Sequence, residues 1–339
     1  MDRRQFLKGI GATGAVVTLA GCGSDSGNGH GGNGGNGNGG NGNGGNGNGG
    51  NGNGESTPTP YVDNKIRFLM SPSEPQDRLR AQYTPIKERL NSSIDAVDNV
   101  EMQYANNYAA TLTALDSGTG DVAETGPFAA ALGVESGNAE ILLQRWGYGA
   151  WTYSSVIVTR PETDIESLED LEGKRVAFAD PLSASGSLYP MAMIKEAGLS
   201  VPNEPGSPAG ADFEPSWSTH GQAAEALQAG SVDAAGVGYF IVANDDRSGF
   251  VDGVQEVAQD DGIPRAPILV SPQLADDEKQ AVQEAFTQAD NTLYYGEDGE
   301  EGTDDDLWFS KVRPADQSTY QPVIDKAKTL GYGADVFES

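Results

Sequence analysis

Apolar residues along this chain fall into two patterns: short runs that suit strands, and spacings of three and four that suit helices. Residues 65–70 (Lys-Ile-Arg-Phe-Leu-Met) read as an opening strand. Residues 78–90 read as an amphipathic helix with Leu79, Tyr83, Ile86 and Leu90 at helical spacing, and 108–117 as another with Leu112 and Leu115 inward. Strands are predicted at 121–123, 155–158, 175–178, 232–237 and 268–270, and helices at 165–171, 186–197, 222–229, 276–289 and 321–330. Strands alternating with helices imply an α/β fold with parallel sheets covered on both faces. Ligands of such sheets bind beyond the C-terminal strand ends, where loops lead into helix N-termini. The span 61–339 is too long for one small core and suits two lobes.

The first sixty residues follow another pattern. Arg3-Arg4, then Gln5-Phe6-Leu7-Lys8, is a twin-arginine export pattern. The apolar stretch 9–20 is rich in Gly and Ala. It falls short of the roughly 20 residues that span a bilayer and reads as a signal h-region. It ends in Leu19-Ala20-Gly21-Cys22, which resembles a lipobox: after cleavage behind residue 21, Cys22 would carry the lipid and become the new N-terminus. Cys22 is the only cysteine, so no intrachain disulfide is possible. Residues 23–60 are Gly-Asn repeats and small polar residues, a flexible leash whose 38 residues span roughly 34 Å.

Charge sharpens this picture. The chain carries 21 Lys and Arg against 50 Asp and Glu, a net charge of −29. Residues 1–60 hold three basic and three acidic side chains, so the whole excess lies in 61–339. A domain this acidic will not grip nucleic acid through its phosphates. Scarce lysine and abundant carboxylate suit a protein of high-salt surroundings, where self-repulsion is screened. The acidic run 297–306 lacks EF-hand spacing and reads as a solvated loop, so no metal site is expected there.

Two segments place small polar residues between a strand and a helix. The first is Phe178-Ala179-Asp180-Pro181-Leu182-Ser183-Ala184-Ser185-Gly186. Free amides and the hydroxyls of Ser183 and Ser185 would project from a helix start, an anion site without a charged side chain. On this motif alone, plain N-capping is the favoured reading of the serines. The second is Trp217-Ser218-Thr219-His220-Gly221-Gln222, where Thr219 and Gln222 have capping-box spacing and put His220 in a first helical turn. With His30 in the leash, His220 is the single histidine of the folded part. That argues against a catalytic triad or a multi-histidine metal site, and no cofactor is expected.

Taken in order and spacing, several segments resemble the phosphate-, phosphite- and phosphonate-binding receptors of ABC transporters. They are Asn107-Tyr108-Ala109-Ala110, Gly126-Pro127, 153–158, Asp180-Pro181-x-Ser183-x-Ser185-Gly186, Ser218 to His220 and Arg313-Pro314-Ala315-Asp316. The resemblance implies a two-lobed periplasmic-binding-protein-like (type II) fold, with a hinge and an interlobe cleft. Carried over by position, it implies ligand contacts from Tyr108, Tyr153, Ser183, Ala184, Ser185 and His220. Ala184 stands where the family usually has threonine. Losing a donor to a charged acceptor costs about 1.5–3 kcal/mol. Where aminoalkyl-phosphonate binders place acidic side chains, this chain has Gly238-Tyr239-Phe240, so no ammonium pocket is expected. Tyr148, Trp146 and Trp151 are candidate cleft walls, with packing the simpler role for Trp146.

The expected organisation is a signal at 1–21, a lipidated Cys22 and leash at 22–60, one lobe from 61–160 and 262–339, and the other from 161–261. Hinges are expected near 160–163 and 261–264. The expected function is capture of a phosphorus oxyanion, without catalysis, by a monomer held by a lipid anchor on the outer face of the membrane. Its expected partner is an ABC permease. Another small anion such as sulfonate or nitrate, and an exported phosphoesterase, are the alternatives.

Overall fold

The computed structural model describes residues 61–72, 76–244 and 247–333. Arg3, Arg4, Cys22 and the Gly-Asn leash lie outside the described residues. The chain first builds β1 (Lys65–Met70), α1 (Gln76–Ser93), β2 (Asn99–Tyr104), α2 (Tyr108–Asp116), β3 (Val122–Glu124), α3 (Pro127–Glu135) and β4 (Glu140–Gly147). It continues with β5 (Thr152–Thr159), β6 (Arg175–Phe178), α4 (Tyr189–Glu196), β7 (Glu214–Trp217) and α5 (His220–Gln228). β8 (Ala234–Gly238), the short α6 (Tyr239–Val242) and β9 (Gln255–Pro264) follow. It ends with β10 (Pro267–Val270), α7 (Asp276–Thr287), β11 (Phe309–Pro314) and α8 (Gln321–Leu330).

Two sheets result, one per lobe. The first has the order β11-β4-β10-β3-β1-β2 and the second β7-β6-β8-β5-β9. β1 runs parallel to β2 and β3, and β6 parallel to β7 and β8. The remaining pairs are antiparallel: β10 with β3 and β4, β11 with β4, and β5 with β8 and β9. The sheets are therefore mixed, not all-parallel as the alternation implied. Strand–helix alternation reports local connections only. It says nothing of strands that leave one sheet for the other, and those supply most of the antiparallel pairs.

The expected lobe boundary at 160 also moves. β5 is hydrogen-bonded into the second sheet, with Ser155 opposite Gly238 and Thr159 opposite Ala234. Beyond it, Arg160 donates to the carbonyls of Leu227 at 2.6 Å and Val232 at 2.7 Å, which lodges it inside the second lobe. The chain crosses between lobes at residues 148–151 and again at Arg265 and Ala266, just past the expected 261–264. The crossings are tied together: the Arg265 amide donates to Trp151 O at 2.9 Å, and the Tyr320 hydroxyl donates to Arg265 O at 2.6 Å.

The first sheet packs Phe68, Val270 and Phe309 against Tyr83, Ile86 and Leu90 of α1 and Phe286 of α7. The second packs Val156, Val158 and Val237 against Ala223 and Leu227 of α5. A third cluster joins Phe128 and Leu132 of α3, Tyr189 and Ile194 of α4, and Ile324 and Leu330 of α8. The C-terminal helix thus packs on both lobes. After Gly331 caps it in the left-handed region, Tyr332 stacks on Phe128 and donates to Pro202 O at 2.8 Å.

Two predicted helices differ in detail. The one at 165–171 is a 3₁₀ turn, Leu168–Leu171, capped by Ser167. The one at 186–197 begins as a π-helical turn, Ala184–Leu188, before α4. Such π-turns commonly mark functional sites.

Candidate functional site

The serine turn follows β6 in the second lobe. Its backbone folds back through Ala179 N–H to Gly186 O at 3.0 Å and Ser183 N–H to Asp180 O at 2.8 Å. The Asp180 carboxylate accepts from Leu182 N–H at 2.8 Å, and burial raises its pKa. Ser183 caps the π-turn, accepting from Gly186 N–H at 3.1 Å. Position 186 has to be glycine: a Cβ there would lie 2.2 Å from Ala179 Cβ and 2.7 Å from His220 Cε1. The missing side chain lets α5 bring His220 onto the turn.

His220 opens α5 as predicted, behind Thr219, which accepts from Gln222 N–H at 3.2 Å. The ring is fixed at both nitrogens. Nδ1 accepts from Gly238 N–H at 3.2 Å, and Nε2 lies 3.1 Å from Ser183 Oγ. A backbone amide can only donate, so Nδ1 is bare and the neutral ring carries its proton on Nε2. Burial holds the imidazole far below its ordinary value, at about 4. Ser183 Oγ therefore receives two hydrogen bonds, from Gly186 and His220, and keeps its own proton to donate elsewhere.

Among the described residues, six have a buried side-chain polar atom without a partner. The Arg67 nitrogen still ion-pairs with Asp121 at 3.5 Å, and in Gln82, Glu278 and Asp306 another side-chain atom is engaged. The other two are the hydroxyls of Ser185 and Thr125. Native structures rarely leave buried hydroxyls idle. Ser187, two residues on, shows the usual pattern: its hydroxyl reaches Asp180 O at 2.8 Å and Ala179 O at 3.2 Å. Thr125 follows β3 and precedes Gly126, where a Cβ would lie 3.5 Å from the Tyr108 ring.

Tyr108 opens α2, whose N-cap Asn107 accepts from Ala110 N–H at 2.8 Å. Burial raises its phenol pKa, with Asp180 the next cause. Burial also raises that of Tyr153, whose hydroxyl lies beside the Ser185 side chain and amide. Both phenols stay protonated donors at neutral pH. Tyr108, Tyr153, Ser183, Ser185 and His220 thus lie near one another. Ala184 is buried and contributes no hydroxyl.

The candidate walls separate. Trp146 packs under Lys311 at 4.0 Å and Trp151 under Arg313 at 4.3 Å, both on β11. Tyr148 instead joins a ring cluster, 6.4 Å from Phe240, which is 5.7 Å from His220 and 5.9 Å from Tyr153. Arg265 and Thr125 were missed by sequence reasoning. Beneath the site, Arg145 donates to Glu124 at 3.0 Å, Tyr83 at 3.1 Å and Ala266 O at 3.0 Å.

Residues 68–320 match the model of the periplasmic substrate-binding proteins of phosphonate ABC transporters. The chain belongs to that family. Residues 1–20 match the twin-arginine translocation signal, which places this family member outside the cytoplasm. A phosphate-import protein, PhnD, of Mycolicibacterium smegmatis is 32% identical over 150 residues, 43% of this chain and 46% of that relative. The matched stretch thus spans about half the relative's length.

Solved relatives share the fold. A binding protein of an ABC phosphonate transporter from Pseudomonas aeruginosa has a TM-score of 0.61 at 20% identity, covering 79% of this chain and 86% of its own. PhnD1 of Prochlorococcus marinus, in complex with methylphosphonate, has a TM-score of 0.59 at 14% identity, covering 79% and 98%.

Proposed function

We propose that this family member captures a phosphorus oxyanion (phosphate, phosphite or a simple phosphonate) in the interlobe cleft and delivers it to an ABC permease. The observation that carries the reading is the Ser185 hydroxyl, buried and without a hydrogen-bond partner, beside the Ser183 hydroxyl, whose own proton His220 leaves free to give. Backbone amides and hydroxyls, with His220 holding Ser183 in place, suit a tetrahedral oxyanion and need little reorganisation on binding. The Thr125 hydroxyl on the first lobe supports the same reading and compensates for the hydroxyl absent at Ala184. The M. smegmatis relative imports phosphate, and the P. marinus relative holds methylphosphonate.

Neutral donors also explain how a chain of net charge −29 takes an anion. They act at hydrogen-bond range, whereas distant carboxylates are screened over about 3 Å at 1 M salt. Binding energy would draw the lobes together about the two crossings. The lipid on Cys22 and the Gly-Asn leash would hold a monomeric receptor near its permease.

The test is calorimetry of the folded domain against phosphate, phosphite, methylphosphonate, methanesulfonate and nitrate. Saturable binding confined to the phosphorus ligands is the expected result. Saturation by methanesulfonate or nitrate alone would replace the ligand class. For the tether, Cys22→Ser should move the protein from the membrane fraction to the soluble one.

A further inference from the structure

Arg265 lies at the second crossing and is only 6% exposed. Buried cations normally pair with carboxylates. Arg265 has no such pair among the described residues. Its Nε donates to Ala150 O at 3.0 Å, and none of the described residues engages its terminal nitrogens. Its guanidinium carbon lies 5.2 Å from the Tyr148 ring centroid, 5.4 Å from Tyr153 and 5.9 Å from Trp308. A second cation, Arg247, sits 3.9 Å over the same Tyr148 ring. In a chain with 29 more acids than bases, two guanidinium groups flank one tyrosine. Burial and the nearby Arg247 lower the Arg265 pKa to about 10, which still leaves it charged at neutral pH.

The place of this cation gives it meaning. Tyr153 separates it from the serine turn: one part of that side chain meets Arg265, and its hydroxyl meets Ser185. A ligand whose phosphoryl group sits on Ser183, Ser185 and His220 would extend past Tyr153 toward Arg265. The aromatic rings hold the fork of the guanidinium in place, and a planar carboxylate matches that fork with two parallel hydrogen bonds.

We infer that Arg265 forms a second anion subsite, so that the cleft favours phosphonates bearing a carboxylate on a short spacer over those with neutral or ammonium tails. This rests on the phosphorus-oxyanion reading above.

The experiment is calorimetry with phosphonoacetate and with carbamoylmethylphosphonate, its uncharged amide counterpart, at equal ionic strength. The wild-type domain should bind phosphonoacetate at least tenfold more tightly. Arg265→Gln should bring the ratio to within about threefold while leaving the amide ligand's affinity nearly unchanged. A wild-type ratio near one overturns the inference without any variant. So does an Arg265→Gln protein, shown folded by its melting curve, that weakens both ligands equally, because the arginine would then serve the phosphoryl group itself. If the amide ligand binds and the carboxylate adds nothing, the subsite falls and the phosphorus site stands. If neither binds, and phosphate and methylphosphonate also fail, both readings fall.

Discussion

Arg145 and Arg265 are both buried, and both lie over the Trp308 ring, at 4.7 and 5.9 Å. Their surroundings differ. Arg145 is closed into the first lobe by Glu124, Tyr83 and Ala266 O, while Glu124 also accepts from the Ser71 amide and hydroxyl. Arg265 has one backbone carbonyl and three rings. The first network is complete without a ligand and the second is not. The same contrast separates Ser187 from Ser185 on one turn. A buried polar group with its bonds complete holds the fold, and one left incomplete in the cleft is where we propose that a ligand's atoms belong.

The largest effect should come from breaking the complete network. Arg145→Met strands the Glu124 charge and should cost about 3–5 kcal/mol in urea unfolding. Arg265→Met removes an unpaired buried charge along with its ring contacts, and stability should change by no more than about 1 kcal/mol. Equal losses at the two positions would erase the contrast.

Next is Gly186→Ala. The new methyl must displace Ala179 or His220. Overpacking of this kind costs about 1–3 kcal/mol, and methylphosphonate affinity should fall with it because His220 leaves Ser183. Retained affinity would show that the histidine's place on the turn is unimportant.

Ser183→Ala removes a donor to a charged acceptor, and His220→Ala removes the group that orients that donor. Each should weaken binding at least tenfold, in line with about 1.5–3 kcal/mol.

The ligand-free protein should also differ from its His220→Asn variant in how its stability falls with pH. With its folded pKa near 4 and an ordinary value of 6.5, His220 resists a proton that the unfolded chain accepts. Its contribution is fully present above pH 6.5 and is lost as pH falls toward 4. The variant's stability should decline less across that window. Parallel pH curves for the two proteins would contradict the neutral assignment.

Much of the site was legible in the sequence because its chemistry is local. Asp180 to Gly186 and Thr219 to Gln222 carry their capping geometry in a few consecutive residues, and the helix at 321–330 appears with the predicted bounds. What was not legible depends on distant pairing. An apolar strand such as β5 does not announce that its partners, β8 and β9, come some eighty to a hundred residues later, so it was placed in the wrong lobe. Arg265 sits in Ile263-Pro264-Arg265-Ala266-Pro267, which reads as a connector. Its burial among rings from two separate segments, Tyr148 and Tyr153 on one and Trp308 on the other, exists only once both crossings lie side by side. Thr125 has no motif around it beyond Gly126-Pro127, and its idle hydroxyl is a property of the packed structure.

The most direct measurement is calorimetric titration of Ser185→Ala with the best phosphorus ligand from the panel, alongside thermal melts and Ser187→Ala as the contrast. Ser185→Ala should keep most of its stability and lose about tenfold in affinity, since its hydroxyl makes no hydrogen bond of normal geometry within the protein and only neighbours that of Tyr153. Ser187→Ala should lose stability and keep its affinity. Unchanged affinity in Ser185→Ala would contradict the claim that the idle hydroxyl awaits the ligand.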